Sequence, residues 1–368
     1  MRRYVFEKRW KRVLAAMLDV AGGTLFFRRK ARPVPALQRV LVVRLDHLGD
    51  VILALPVLEA LARLQPKPFV ATLTSAAAAV LLRDMPAVDE RLVFEAAWFA
   101  RAPGAGDSPW RLLQTLRARR FDAALELRGD ARHIVLLSAA GIPFLAGPGN
   151  TGGAFLLHRE VKSGERHVLE QNLLTAAAVG ASLAAAPRPH LIWQPRADET
   201  AWLANLDLGA KLLLFHPEAG AAAKKWPEER FAALAAVAVQ RGWTPVVIGT
   251  GRAADASWPG GTRDLRGKTG LPQLVTLIQA AGGLVSNDSG PAHIAAALQK
   301  PTLLPWSWAN DPALWAPRGA GVRWVEVRTP CAPCRRSVCA VPGHPCLTDI
   351  TVDRMGPLLH ELLDAAVP

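Results

Sequence analysis

The chain has 368 residues, which is more than one hydrophobic core usually supports and is typical of two domains. Hydrophobic residues make up 51% of the sequence, so both domains can bury a core and a disordered chain is excluded. Lysine and arginine number 44 against 31 aspartate and glutamate residues. The resulting net charge of +13 favours an anionic partner, without choosing among nucleic acid, phospholipid and phosphorylated substrate.

Residues 1–36 form a basic arm. Within residues 1–32 there are ten basic residues and two acidic ones. Five apolar residues recur there at steps of three and four, which places them on one helical face: Phe6, Trp10, Val13, Met17 and Val20. Such a helix either lies on an anionic bilayer surface or packs against the body of the protein, and the sequence leaves both interpretations open.

The apolar part of this arm does not resemble a secretory signal. The stretch from Val13 to Phe27 is interrupted by Asp19 and by Gly22 and Gly23, and it ends in a second basic cluster. No other segment reaches about 18 uninterrupted apolar residues, the length that a membrane-spanning helix requires. No spanning segment is therefore predicted.

From Arg39 onward, short apolar runs alternate with longer helical patterns. The predicted buried strands are VLVVRL (40–45), PFVATL (68–73), FDAALEL (121–127), KLLLFH (211–216), TPVVIG (244–249), GGLVSN (282–287) and PTLLPW (301–306). Continuous apolar strands joined by helices predict an α/β protein with parallel sheets covered on both faces.

A Pro-rich stretch at 184–199 predicts a hinge between two βαβ domains. The expected domains are residues 37–194 and 195–350, preceded by the arm and followed by a C-terminal helix at 351–368. In such folds ligands bind at the carboxyl ends of strands, so the loops that follow strands are the candidate sites.

The loop after the first predicted strand holds Asp46, His47, Gly49 and Asp50. Asp50 falls at or just inside the start of an apolar helix. A carboxylate in this position either caps the helix, where it accepts hydrogen bonds from free backbone amides, or faces a ligand.

A second loop, FHPEAGAAAKKWPEERFAAL (215–234), also runs from a strand to a helix. Its small residues allow a ligand to approach the backbone, and Lys224 and Lys225 lie beside them. A strand-loop-helix junction of this kind is suited to bind phosphate, although two solvated lysines are the alternative.

The third loop lies in LVSNDSGPAHIAAALQKPTLLPW (284–306). Gly290 and Pro291 suit the start of a helix whose free amides point outward at a strand end. Asp288 would repel a phosphate unless it caps the helix, pairs with a lysine or accepts hydrogen bonds from sugar hydroxyls. His293 is either a donor to an oxyanion or a buried structural histidine.

Together the three loops, in this order, resemble glycosyltransferase family 9, the lipopolysaccharide heptosyltransferases. The segments that carry the resemblance are VVRLDHLGDVILALPVLEAL, HPEAGAAAKKWPEERFAALAAVAVQRGWTPVVIGTG and DLRGKTGLPQLVTLIQAAGGLVSNDSGPAHIAAALQKPTLL. LRGDARHIVLLSAAGIPFLAG and RHVLEQNLLTAAAVG are similar to the family's amino-terminal domain, and the resemblance covers roughly residues 39 to 350. It implies a GT-B fold, with two Rossmann-like domains facing a cleft.

The resemblance also implies roles for individual residues. Asp50 matches the general base toward the acceptor hydroxyl, and Arg128 is expected to bind the acceptor. The residues expected to bind the nucleotide sugar are Lys224, Lys225, Asp255, Asp288, Ser289, Gly290 and His293, of which Asp255 aligns loosely.

The implied reaction is an inverting transfer of heptose from ADP-heptose to the inner core of lipopolysaccharide, either Kdo-lipid A or a heptosylated core. The resemblance implies no cofactor for catalysis and a cytoplasmic location, peripheral on the inner membrane. Another nucleotide sugar, or a non-catalytic protein that binds nucleotide sugar or lipopolysaccharide, is the alternative. Nucleic-acid binding would explain the charge but not the three loops.

The sequence departs from the family pattern in two places. Glu218 replaces the usual glycine of HPGAG and adds negative charge near the expected diphosphate. Trp306 and Ser307 replace a common Phe-Gly pair at the expected edge of the donor pocket. Both departures bear on the choice of donor sugar.

Four cysteines are clustered near the C-terminus, with the spacing C-x2-C-x4-C-x6-C: Cys331, Cys334, Cys339 and Cys346. This spacing is compatible with a structural zinc ion, for which His344 offers a further ligand. Reduced thiols are the alternative, because the second pair lacks the tight spacing of familiar zinc modules.

Overall fold

The computed structural model describes residues 9–25, 33–96, 106–162, 164, 166–182, 188–251 and 257–366. The chain divides into two compact units, Met1–Pro187 and Arg188–Pro368. Each unit is built on one parallel six-stranded sheet.

The first unit begins with a helix and then alternates strands and helices. Its elements are α1 (Arg9–Leu25), β1 (Arg39–Val43), α2 (Leu48–Ile52), α3 (Leu55–Ala62), β2 (Phe69–Thr74), α4 (Ala76–Leu81), β3 (Glu90–Val93), α5 (Pro109–Arg119), β4 (Ala123–Glu126), α6 (Ala131–Ala139), β5 (Phe144–Gly147), β6 (Arg159–Glu160) and α7 (Val168–Ala177). A 3₁₀ turn, Ala154–Leu156, precedes β6. The sheet order is β3-β2-β1-β4-β5-β6.

The second unit repeats this alternation. Its elements are α8 (Ala197–Asn205), β7 (Leu212–His216), α9 (Glu228–Gln240), β8 (Thr244–Val247), β9 (Arg263–Asp264), α10 (Leu271–Ala280), β10 (Gly283–Ser286), α11 (Gly290–Ala297), β11 (Thr302–Trp306), α12 (Pro312–Trp315), β12 (Val322–Glu326), α13 (Pro345–Thr348) and α14 (Val352–Ala365). A 3₁₀ turn, Ala222–Lys224, follows β7. The sheet order is β12-β11-β10-β7-β8-β9.

Both sheets have the strand order of a Rossmann fold. Numbered within its own unit, each sheet reads 3-2-1-4-5-6, and every pairing is parallel. The order reverses between β1 and β4 in the first unit and between β7 and β10 in the second. Loops after the two strands of such a switch point diverge and leave a crevice, which is where ligands of these sheets bind.

All seven predicted strands are present, and the prediction of parallel α/β sheets is confirmed. Each of the central strands β4, β7 and β10 is buried along its whole length, as their continuous apolar sequences require. The sequence reading missed β3, β5, β6, β9 and β12. Four of these are edge strands, and β5 lies next to an edge. β3 exposes Arg91 and Val93, and β12 exposes Arg323, Trp324 and Glu326, so neither has a continuous buried apolar run.

Helix α1 packs on the first unit through a face of small residues. Ala15 and Gly22 are buried there, and Gly22 lies against the ring of Phe155. The carboxylate of the buried Asp19 accepts a hydrogen bond from the amide of Ala154 at 3.0 Å. These contacts attach the helix to the 3₁₀ turn before β6.

The predicted apolar face of the arm points away from this contact. Val13, Met17 and Val20 are 50%, 63% and 70% exposed. Phe6 lies outside the described residues, and the side chain of Trp10 is likewise not described. Within the described ranges, none of the helices combines the length and the hydropathy needed to cross a bilayer.

Candidate active site

The switch point of the first unit brings together the loops after β1 and β4. Arg44 follows β1 directly and is buried. Its Nη2 donates to the carboxylate of Asp50 at 2.6 Å, and its Nε lies 2.7 Å from Oδ1 of Asp46. The contact with Asp46 is a close ion pair rather than an aligned hydrogen bond. One guanidinium thus bridges two carboxylates.

Backbone and amide groups hold the other side of Arg44. Its Nη1 donates to the carbonyl of Leu127 at 2.9 Å, at the end of β4, and lies 3.4 Å from Oδ1 of Asn172 on α7. Burial opposes the charge of this guanidinium, but Asp46 and Asp50 outweigh burial and raise the pKa of Arg44 above its usual value. Arg44 therefore stays charged inside the unit.

Asp46 lies between two cations. Its Oδ2 accepts a hydrogen bond from Nη1 of Arg128, in the loop after β4, at 3.2 Å. Its side chain is 4% exposed. Burial raises the pKa of Asp46 to about 6, with Arg44 opposing the shift and Asp50 adding to it. This carboxylate therefore joins the two loops of the switch point, as Arg44 does through the carbonyl of Leu127.

Asp50 is not the cap of its helix. The N-cap of α2 is His47, and Asp50 lies inside the first turn with its carboxylate turned to Arg44. Its side chain is 10% exposed. The capping interpretation is therefore wrong. Asp50 either faces a ligand or serves only as an ion-pair partner of Arg44.

The loop after β4 is fixed by a buried pair, Glu126 and His133. The carboxylate of Glu126 accepts from the amide of Gly129 and contacts Nδ1 of His133 at 2.9 Å. Gly129 has a φ of +79° and approaches the carbonyl of Pro148 too closely for any Cβ. Arg128 is thereby set at the surface of the loop, with a third of its side chain exposed.

Asp130 supports the same loop from the other side. It caps α6 by accepting from the amide of Arg132 and also pairs with the Arg132 guanidinium at 2.6 Å. Burial opposes its charge, but the hydrogen bond from Arg132 outweighs it and lowers the pKa of Asp130. Arg128 also lies 4.0 Å from Asp130.

In the second unit, the switch point joins the loops after β7 and β10 by an ion pair. Nζ of Lys224, in the 3₁₀ turn, lies 2.7 Å from Oδ2 of Asp288. The same oxygen accepts from Nδ2 of Asn310 at 3.0 Å. Of the three arrangements considered for Asp288, the structure has the pairing with a lysine. Lys224 keeps 21% of its side chain exposed.

Ser289 connects the two loops a second time. Its hydroxyl lies 3.0 Å from Nδ1 of His216, at the end of β7, and 2.9 Å from the hydroxyl of Ser286. Burial, opposed by Glu218, lowers the pKa of His216 to about 4, so its ring is neutral near pH 7. Ser289 is also the N-cap residue of α11, although its side chain makes no capping hydrogen bond.

The start of α11 lies at this junction. Gly290 is its first residue, and Pro291 follows in the first turn. His293 is buried one turn further along. Asn287 makes two hydrogen bonds with the loop after β7. Its Nδ2 donates to the carbonyl of Pro217 at 2.7 Å, and its Oδ1 accepts from the amide of Trp226 at 3.1 Å.

A cavity of about 640 Å³ opens at the ends of β7 and β8. Lys225 and Glu218 line it. The carboxylate of Glu218 accepts hydrogen bonds from the amide of Thr250 at 2.9 Å and from that of Gly251 at 2.6 Å. Burial opposes its charge, but these amides outweigh burial and hold the pKa of Glu218 below its usual range. The extra negative charge predicted at this position is therefore present and fixed.

Trp306 and Ser307 do not line this cavity. Trp306 is fully buried, and its indole donates to the carbonyl of Asn310 at 3.0 Å. The hydroxyl of Ser307 donates to the carbonyl of Ala223, next to Lys224. The two residues support Asn310 and the lysine turn from behind, and their place at the edge of the donor pocket stays a prediction.

Two further predictions concern Asp255 and the cysteines. Asp255 lies outside the described residues. Cys331 is exposed, Cys334 and Cys339 are half-buried and Cys346 is buried, and all four are free thiols. Burial raises the pKa of Cys346. In the part of the chain that the structure describes, no three His, Cys, Asp or Glu side chains are grouped as a metal site, so the zinc ion stays a prediction that elemental analysis can test.

The sequence reading gave no role to several residues that build these sites. Arg44, Asn172 and Asn310 are the main examples, together with Asp46, which was noted in the loop without a function. Arg44 directly follows the apolar strand β1, and a single charged residue at the end of a strand is usually exposed to solvent. Asn172 and Asn310 are distant in sequence from the groups they contact, so no local pattern marks them.

Two units of Rossmann strand order are the architecture of the GT-B fold class, to which many glycosyltransferases belong. The chain belongs to glycosyltransferase family 9 (heptosyltransferase), whose family model matches residues 109–344. It is 27% identical to lipopolysaccharide heptosyltransferase 2 of Salmonella typhimurium over 346 residues, covering 88% of this chain and 98% of that protein.

Two solved structures have the same fold. One is the ADP-heptose lipopolysaccharide heptosyltransferase II of E. coli, with a TM-score of 0.71 and 24% identity over 89% of this chain and 98% of that chain. The other is a family 9 glycosyltransferase from Veillonella parvula, with a TM-score of 0.76 and 19% identity over 90% of this chain and 99% of that chain. The predicted family, fold class and transferase activity are confirmed.

Proposed function

We propose that this enzyme transfers a heptose, with inversion, from ADP-heptose to the inner core of lipopolysaccharide, the acceptor being Kdo-lipid A or a heptosylated core. The observation that carries the proposal is the buried carboxylate of Asp50 at one switch point, combined with Lys224 at the other. The names of the matched relatives support heptose as the sugar.

The first unit would bind the acceptor. Asp50 is the general base that takes the proton of the acceptor hydroxyl as its oxygen attacks the anomeric carbon. Arg128, one-third exposed, would hold an anionic group of the acceptor, because its planar guanidinium can donate two parallel hydrogen bonds to a carboxylate or phosphate.

The second unit would bind the donor. The bond from the anomeric carbon to the diphosphate breaks as the new glycosidic bond forms, and the nucleoside diphosphate leaves with an added negative charge. Lys224 and the backbone amides at Ser289 and Gly290 would stabilise that charge, with Lys225 as a second cation. Asp288 holds Lys224 in place, and the proposal keeps His293 and Asp255 among the donor contacts.

The test is a transfer assay with purified protein, ADP-heptose and two deacylated acceptors, Kdo-lipid A and a heptosylated core. Mass spectrometry should show the acceptor heavier by one heptose, and NMR of the product should show an anomeric configuration opposite to that of the donor. Boiled enzyme serves as the control. Retention of configuration, or absence of any heptosylated product with both acceptors, would contradict the proposal.

A second donor is favoured by one observation. Glu218, a glycine in the family pattern, places a fixed carboxylate on the wall of the cavity beside Lys225. A carboxylate there repels a diphosphate but accepts hydrogen bonds from hydroxyl groups, so the enzyme could use a nucleotide sugar other than ADP-heptose. A panel of nucleotide sugars, compared by kcat/KM, decides between the two.

We also propose that the enzyme works peripherally at the cytoplasmic face of the inner membrane, with α1 against the bilayer. The outward face of α1 carries Val13, Met17 and Val20, and the arm around it has ten basic residues. Apolar side chains at the headgroup level and cations over lipid phosphates are the two forces that bind such helices.

The double variant M17S/V20S tests this contact. It should bind anionic vesicles of phosphatidylglycerol and phosphatidylethanolamine more weakly in sedimentation than the wild type does. V338S removes an equally exposed valine from the second unit, 65% exposed, and should bind as the wild type does. Equal binding of all three proteins would refute the role of α1.

A further inference from the structure

Four charged side chains form one continuous chain in the first unit. The contacts run from Asp50 to Arg44 at 2.6 Å, from Arg44 to Asp46 at 2.7 Å and from Asp46 to Arg128 at 3.2 Å. Side-chain exposure is 10% for Asp50, 5% for Arg44, 4% for Asp46 and 33% for Arg128. The chain therefore begins at the proposed base and ends at a cation that a ligand can reach.

We propose that Asp46 is a positioning residue that couples the binding of an anionic acceptor at Arg128 to the proton affinity of Asp50. The proposal rests on the assignment of Asp50 as general base, and it adds a residue and a mechanism that the assignment does not contain. Acceptor binding at Arg128 makes Asp50 a stronger base than it is in the free enzyme.

The direction of the effect follows from charge. In the free enzyme Asp46 is shared between Arg44 and Arg128. An acceptor carboxylate or phosphate competes for Arg128, which is one-third exposed and lies 4.0 Å from Asp130. When Arg128 turns to the acceptor, Asp46 loses one of its two cations. The charge of Arg44 then compensates Asp46 more and Asp50 less. The proton affinity of a carboxylate rises when negative charge beside it is less well compensated, so Asp50 becomes a better base.

The charged groups around Asp46 come from two elements. Arg44 and Asp50 belong to the β1 loop and the start of α2, whereas Glu126 and Arg128 belong to β4 and the loop after it. Glu126 is occupied by His133 and by the amide of Gly129. Arg128 is thus the member of this cluster that combines a cation, solvent exposure and contact with Asp46.

Asp46 is not needed to keep Arg44 in place. The guanidinium is also held by Asp50, by the carbonyl of Leu127 and by Asn172. A purely structural Asp46 would therefore affect stability and leave the ionisation of the base unchanged by the acceptor. This difference separates the two roles experimentally.

The kinetic test compares the pH dependence of kcat with that of kcat/KM. The first reports the base in the enzyme-substrate complex and the second reports it in the free enzyme. In the wild type the acidic limb of kcat should lie at higher pH than that of kcat/KM. In Asp46→Asn the two limbs should coincide. kcat should fall about tenfold, which is less than the 10²- to 10⁴-fold effect typical of removing the base itself. Asp46→Glu should restore the separation, and Glu90→Gln, which breaks a remote ion pair with Arg119, should leave it unchanged.

A second measurement does not require turnover. The carboxyl carbons of ¹³C-aspartate-labelled protein are titrated by NMR with and without deacylated lipopolysaccharide core, and Asp50→Asn identifies the signal of Asp50. The acceptor should shift the titration of Asp50 to higher pH in the wild type and by less than half as much in Asp46→Asn. Arg128→Gln should titrate at higher pH even without the acceptor.

Equal acceptor-induced shifts in the wild type and in Asp46→Asn would overturn the proposal. If Asp46→Asn fails to fold, as judged by thermal melting, an Arg128→Gln protein that titrates like the free wild type would overturn it in the same way. Absence of heptose transfer by the wild type would refute the proposed function, while the NMR titration would still decide whether the acceptor and Asp50 are coupled.

Discussion

Replacing Asp50 by asparagine separates catalysis from structure. The amide has the size of the carboxylate, and its oxygen can still accept the hydrogen bond that Nη2 of Arg44 now donates at 2.6 Å. It cannot take a proton from the acceptor. Loss of a positioned general base costs about 10²- to 10⁴-fold in rate, equivalent to about 3 to 5 kcal/mol of barrier.

The structural cost should be smaller. A hydrogen bond to a charged group is worth about 1.5 to 3 kcal/mol, and part of it survives in the amide. Arg44 also keeps Asp46 at 2.7 Å, so its charge is not left without a partner. We therefore expect a loss of about 1 to 2 kcal/mol, or about 2 to 8 °C in Tm for a unit of this size. Against a typical stability of about 5 to 15 kcal/mol, the enzyme stays folded at the assay temperature.

The assay measures kcat with saturating ADP-heptose and deacylated lipopolysaccharide core, together with ADP affinity by calorimetry. ADP should bind Asp50→Asn as it binds the wild type, since the donor contacts are assigned to the other unit. Asp89→Asn is the matched control, because Asp89 also accepts a hydrogen bond, from the amide of Val70 at 2.8 Å, and lies away from the site. A kcat for Asp50→Asn within about threefold of the wild type would leave Asp50 as a partner of Arg44 and refute its role as base.

Three further predictions concern the second unit. Lys224→Ala should weaken ADP binding by about 1.5 to 3 kcal/mol in calorimetry, because a charge-assisted contact is lost, and Lys225→Ala should weaken it less; the opposite order would transfer the diphosphate contact to Lys225. Glu218→Gly should strengthen ADP binding by roughly two- to fivefold, the scale of one half-exposed charge, and unchanged affinity would mean that the carboxylate does not face the diphosphate. The pKa of His216 is about 4 in the folded state and near 6.5 in an unfolded chain. Between these two values the unfolded state binds more protons than the folded state, so the free energy of unfolding falls as the pH drops from about 6.5 to about 4. Between pH 7 and pH 4, the free energy of unfolding measured with urea should fall by about 3 kcal/mol less in His216→Gln than in the wild type. If the two proteins instead lose stability in parallel with falling pH, the ring of His216 is not buried in its neutral form.

Much of the fold could be predicted from the sequence because the central strands are buried on both faces. β1, β7 and β10 read as continuous apolar runs, and their order along the chain, alternating with helices, leaves few topologies. The edge strands could not be found in this way. β3 exposes Arg91 and Val93, and β12 exposes Arg323, Trp324 and Glu326, so neither has the continuous apolar run that marks a central strand.

The candidate site could be predicted only as far as local sequence reaches. Asp50, Lys224 and Asp288 each lie in a loop directly after a strand, and parallel topology brings such loops to one edge of a sheet. Which groups pair there depends on contacts across 22 residues, for Asn310 with Asp288, or across 128 residues, for Asn172 with Arg44. A single sequence contains no signal for these distances, and so the capping role considered for Asp50 could be rejected only with the structure.

The two switch points use one topological position with opposite polarity. In the first unit the loop after the first strand supplies a carboxylate, Asp46, and the loop after the fourth strand supplies the cation Arg128. In the second unit the loop after the first strand supplies the cation Lys224, and the loop after the fourth supplies the carboxylate Asp288. Each cation is therefore oriented by a carboxylate before a ligand arrives, yet keeps part of its side chain exposed. The carboxylates are buried, with side chains 4% and 6% exposed, so an incoming phosphate or carboxylate reaches each pair through the exposed part of its cation. The polarity matters because Asp46, unlike Asp288, shares a guanidinium with a proposed base, and so the first unit alone can convert the binding of an anion into a change in basicity.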